Sequence, residues 1–160
     1  MSNPTLRTLS FIFDNENDMI LLHTMIEDGP LKRKHSGIKG SIKLTEDINA
    51  AAIRIVCESS GLEIQEMVLR GMVKVIQQSQ RNSTIYFIYE SALFSGELIK
   101  NIPGQLKWID ILNIFNLQME SVTQEIMPKL LDGESFFEGT IQINEFDEVI
   151  ESDIRICNAI

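Results

Sequence analysis

The stretch from Gly40 to Leu62 constrains this chain more than any other part of it. Thr45, Glu46 and Asp47 offer capping oxygens and acidic groups suited to the positive end of a helix dipole. Ala51, Ala52, Ile55 and Val56 then fall at helical spacing, and Gly61 stands where a helix commonly stops. The spacing therefore predicts a helix over 48–60. β-favouring runs flank it: Thr8 to Phe13 and Met19 to Met25 before it, Glu66 to Gln77 and Thr84 to Ala92 after it. A loop is expected from Glu27 to Lys39, a polar turn from Gln78 to Ser83, and a short apolar segment at Leu106 to Ile109. A second helix is expected over Val122 to Leu131, with Pro128 as a blemish near its end. Ser135 to Asn144 and Val149 to Ile156 alternate around a polar turn and read as a closing hairpin. This order fits an α/β (α+β) domain, a mixed sheet with helices on its faces, better than a doubly wound parallel sheet.

The 160 residues suit one domain spanning 1–160, long enough to bury a core without disulfides. A net charge of −9 argues against binding a nucleic-acid polymer, whose phosphates need a positive footprint. The basic cluster Lys32-Arg33-Lys34-His35 runs against that background and reads either as a solvated loop or as a phosphate-facing edge. Cys57 and Cys157 have neither metal-site spacing nor a disulfide framework. No apolar run reaches the roughly 18 residues of a membrane span, and the first residues lack the pattern of a signal peptide. A cytoplasmic protein without membrane contact is expected.

The same stretch resembles the Nudix box, G-x5-E-x7-R-E-U-x-E-E-x-G-U, where U is a bulky aliphatic residue. Gly40, Glu46, Arg54, Val56, Glu58, Gly61 and Leu62 fall at their intervals without a gap. Ile20 to His23 resembles the family's second strand, and Phe94 to Leu98 with Leu106 to Ile109 resembles the segment leading to its next strand. The resemblance implies a Nudix-type mixed sheet sandwiched between helices. Within the family the layout is most similar to the branch acting on oxidised purine nucleoside triphosphates. It also implies a nucleotide or nucleoside diphosphate derivative as partner, with homodimerisation left open.

Two box positions depart from the pattern: Ile55 and Ser59 stand where helix glutamates belong. On a helix, positions 55, 58 and 59 share one face. In the family that face presents carboxylates to Mg²⁺ or Mn²⁺, hard cations that need oxygen ligands to neutralise a pyrophosphate and activate water. Here it offers Ile, Glu and Ser, with the isoleucine expected as an apolar wall where a dication should sit. Glu58 is the helix glutamate that remains, as catalytic or metal-binding group or as an idle surface acid. Glu46 is open to a metal role, to a helix N-terminal role, or to pairing with Arg54. Gly40, Glu46, Arg54, Gly61 and Leu62 form the structural part of the box. His23 reads as a half-buried strand histidine, Trp108 as core and Cys57 as inert, while Glu90 and Glu97 are candidates for a substitute carboxylate.

Two readings of function follow. One is a Nudix-fold protein that binds a nucleotide or a partner with little or no turnover and needs no cofactor. The other is a Mg- or Mn-dependent nucleoside triphosphate pyrophosphohydrolase with substitute ligands such as Glu46, Glu58 and Glu90. A third is a β-rich interaction domain with an accidental box; residues 48–60 found extended would exclude the family resemblance.

Overall fold

The structure is a computed structural model and describes residues 3–26, 28–99 and 105–157; Glu27, where the expected long loop begins, lies outside them. The chain opens with β1 (Thr5–Asp14) and β2 (Met19–Thr24), an antiparallel hairpin turning at Asp18 with positive φ. β3 (His35–Ser36) and β4 (Ile38–Ser41) follow, then α1 (Ile48–Ser60). β5 (Glu63–Ile64), β6 (Val68–Gln77), β7 (Asn82–Ser91), β8 (Phe94–Ser95) and β9 (Leu106–Asp110) come next. α2 (Ser121–Leu131) and the hairpin β10 (Phe136–Ile143) and β11 (Val149–Cys157) complete the order.

Residues 48–60 are thus helical, as their spacing predicts. The expected loop up to Lys39 is corrected, because its last residues form strands. β3 pairs β2, and β4 pairs β1 from Arg7–Ser41 to Ser10–Ile38. Ile38 gains a place in the core by this pairing, a long-range gain that the local glycines and charges do not reveal.

The large sheet runs β11-β10-β6-β7-β1-β2-β3, with β4 added on β1 and β9 on β2. β1 with β7 and β10 with β6 are parallel, so the sheet is mixed. Two apolar clusters lie against it. One contains Leu9, Phe11, Val73, Ile88 and Phe137 with Val122, Ile126 and Met127 of α2. The other contains Ile12, Leu21, Ile38 and Tyr89 with Ala51, Ala52, Ile55 and Val56 of α1. Successive strand residues face opposite sides, so β1 serves both clusters at once: Leu9 and Phe11 face α2, Ile12 faces α1. The helices sandwich the sheet.

α2 continues through Pro128 to Leu131 despite the lost amide donor. Arg70 secures that last turn. It is the extra residue where β6 shifts register against β7, and its guanidinium donates to the carbonyls of Lys129, Leu130 and Ser135. Bulges commonly re-aim a side chain in this way. Glu90 pairs with it at 2.9 Å.

A candidate ligand cavity at the box helix

The loop entering α1 is wired by side chains. Asp47 caps the helix, accepting from the Ala50 N–H at 3.0 Å. Arg54 grips Glu46 with two bonds, Nε to Oε2 at 2.6 Å and Nη2 to Oε1 at 2.9 Å, and Nη2 also donates to the Ser41 carbonyl. The arginine holds the Glu46 carboxyl down at about 2. Hence Glu46 spends both oxygens on the loop, as the pairing with Arg54 predicted. Gly61 ends the helix at φ +78, a conformation glycine adopts without strain. A Cβ at Gly40 would overlap the Ile55 side chain, so the box glycine and Ile55 form one close contact.

That contact corrects one expectation. Ile55 is not a wall of an open cleft but part of the core at 5 % exposure, turned inward with Val56. Glu58 and Ser59 are exposed and both border a cavity of about 570 Å³. Arg54 reaches Glu58 as well, Nη1 to Oε2 at 3.2 Å. The face that would carry a dication therefore combines a buried isoleucine, a serine and a carboxylate already drawn to a guanidinium. Among the described residues no group of three or more His, Cys, Asp or Glu side chains could hold a metal ion. This donor set does not fit the oxygen-rich site that Mg²⁺ or Mn²⁺ requires.

Nor do the candidate substitutes converge. Glu90 shares strand parity with Tyr86 and Ile88 and so lies on the α2 face, against Arg70. Burial raises its carboxyl against the pull of that arginine. Glu97 borders a separate depression with Phe94 and Trp108. Trp108 itself stacks on Phe94, ring centres 5.3 Å apart, and packs on the α1 cluster. Cys57 and Cys157 are free thiols.

The cavity has a different chemical character. Met25, Leu31, Ile38 and Leu106 give it apolar walls, while Arg7, His23 and Lys39 add nitrogen. Burial, and secondarily Lys39, lowers the His23 pKa, which leaves the imidazole neutral at pH 7. Lys39 pairs with Glu120 and lies 5.7 Å from the Tyr86 ring centre. Arg7, Leu31 and Lys39 also border a second cavity of about 470 Å³ on the α2 side. The basic cluster is partly neutralised: Lys32 meets Asp28 at 2.8 Å and Lys34 meets Asp147 at 3.0 Å. The sequence reading missed Arg7, Lys39 and Arg70. Of these only Arg70, a cation inside an expected strand, left a local signal; Arg7 precedes one and Lys39 ends the expected loop.

No family model matches the sequence, and no curated protein matches it. Solved structures do match its fold. A mutator MutT protein from Bacillus halodurans superposes with a TM-score of 0.83 at 19% identity, over 94% of this chain and 97% of that one. A MutT NUDIX hydrolase from Burkholderia pseudomallei gives 0.67 at 18% identity, over 81% and 99%. The NUDIX domain of Shewanella oneidensis NrtR, solved with ADP ribose, gives 0.67 at 12% identity, over 81% and 88%. With the box residues forming the same loop, helix and turn that the resemblance implied, the chain has the Nudix fold.

Proposed function

We propose that this protein binds a nucleotide or nucleoside diphosphate derivative in the cavity beside Glu58 and Ser59, and hydrolyses it little or not at all. The carrying observation is the α1 face itself: Ile55 is buried on Gly40, Ser59 is neutral, and Glu58 leans on Arg54. A site short of carboxylates holds Mg²⁺ poorly. The same cavity offers a nucleotide apolar walls for a flat base and the guanidinium of Arg7 for phosphate, while Lys39 is already paired with Glu120. The Shewanella oneidensis domain, solved with ADP ribose, supports this ligand class. A cytoplasmic setting accords with it.

The competing reading is a Mg- or Mn-dependent pyrophosphohydrolase, possible because Glu58 borders the cavity. One pair of measurements separates them. Calorimetric titration with ADP-ribose, nucleoside diphosphates and triphosphates is expected to show binding in EDTA that Mg²⁺ does not strengthen. A phosphate-release assay on the same panel, oxidised purine nucleotides included, is expected to show no turnover with Mg²⁺ or Mn²⁺. Robust turnover abolished by Glu58→Gln would overturn the proposal in favour of an enzyme.

A further inference from the structure

The large sheet ends on β11. Its one partner among the described residues is β10, so a nine-residue strand presents an open row of backbone groups. Such edges template pairing with another chain, and proteins commonly blunt them with proline, lysine or bulges. At the other end of the sheet the two-residue β3 bridges Met119, and the strand beside β2 there, β9, has five residues. β11 is not blunted. From Glu151 to Cys157 it matches β10 residue for residue, and the register shift at Ile143 leaves Ile150 as the extra residue before that run. The run Glu151-Ser152-Asp153-Ile154-Arg155-Ile156-Cys157 holds neither proline nor lysine.

Its midpoint is Ile154. Laid antiparallel on a second copy about a two-fold axis at that residue, the run is complementary to itself. Ile154 faces Ile154, and Asp153 faces Arg155 on both sides of the axis. These two side chains are 71% and 60% exposed and already attract each other within the strand at 3.1 Å. An axis moved to Asp153 would set that carboxylate against its own copy, and like charges directly opposite are destabilising. We propose that two copies of this chain associate through β11, in the register centred on Ile154, so that the sheet continues across the dimer. A two-fold contact of one patch with itself is the commonest way for a soluble protein to dimerise.

Sedimentation of the whole chain tests this independently of any ligand. A concentration-dependent dimer is expected, weakened by salt. Asp153→Arg and Arg155→Asp should each raise its Kd at least about tenfold, because each sets like charges opposite one another. Mixing the two variants in equal amounts should restore the dimer, since every arginine then faces an aspartate. Melting curves matching the parent's check that these exposed substitutions leave the fold intact. A monomer up to about millimolar concentration, a dimer indifferent to both substitutions, or a mixture that stays monomeric would each overturn the proposal.

Discussion

Each helix is held at one end by an arginine, and the two clamps differ in depth. Arg70 is 2 % exposed and divides its donors among Glu90, two carbonyls of the last turn of α2 and one just past it. Arg54 is a quarter exposed and divides its donors among Glu46, Glu58 and one carbonyl before α1. The deep clamp lies beneath a helix with a proline in its last turns. The shallow clamp does two jobs: it ties the loop through Glu46 and draws on Glu58, a carboxylate that borders the cavity.

The largest effect is expected at the deep clamp. Arg70→Ala leaves Glu90 and three carbonyls without their cation, a loss of about 3–5 kcal/mol, read as a melting midpoint lower by more than about 6 °C. An unchanged midpoint would mean that α2 is held by its apolar face alone.

The metal face comes second. Ile55→Glu with Ser59→Glu places three carboxylates along α1 and should raise Mg²⁺ affinity at least tenfold, about 1.4 kcal/mol. Position 55 is buried, so the metal-free variant should melt below the parent and recover with added Mg²⁺. Calorimetry with Mg²⁺ alone reads the gain. No gain would show that position 55 cannot turn toward the cavity.

The smallest effect belongs to the shallow clamp. Arg54→Ala should lower the midpoint by about 2–4 °C at pH 7, because a solvent-screened pair contributes less than a buried one. Its sign with pH follows from Glu46, whose carboxyl is held at about 2 against an ordinary 4.5. A depressed carboxyl stabilises the fold fully above its ordinary value and loses that contribution as pH falls through the folded one. The parent's advantage over Arg54→Ala should therefore shrink between about pH 5 and 2. A gap constant across that range would place the stabilisation in the packing of the arginine stem.

The local part of this architecture was legible in the residues. Asp47 and Gly61 bound α1 as expected, Arg54 meets Glu46 eight residues away, and the hairpins fall within a few residues of their predicted spans. Such features depend on short spacings, where chain geometry decides what can touch. Which face a residue takes in the folded sheet was less legible. Position 55 sits on the chemistry face by helical spacing, yet an apolar side chain gains more from Gly40 and the α1 cluster than from water. Glu90 could be named as a ligand candidate, but strand parity puts it on the far face, against an arginine aimed by a bulge.

The sequence by itself determined the α1 loop–helix–turn, the mixed α+β class and the apolar and neutral side chains at positions 55 and 59. Tertiary structure decided the rest. The cavity draws on residues from Arg7 to Leu106, and the free edge of β11 exists because β10 pairs with β6 rather than enclosing its own hairpin. These outcomes depend on register between strands distant in the chain. Register is set by which pairing buries the most apolar surface across the whole sheet, and no local window of the sequence contains that sum.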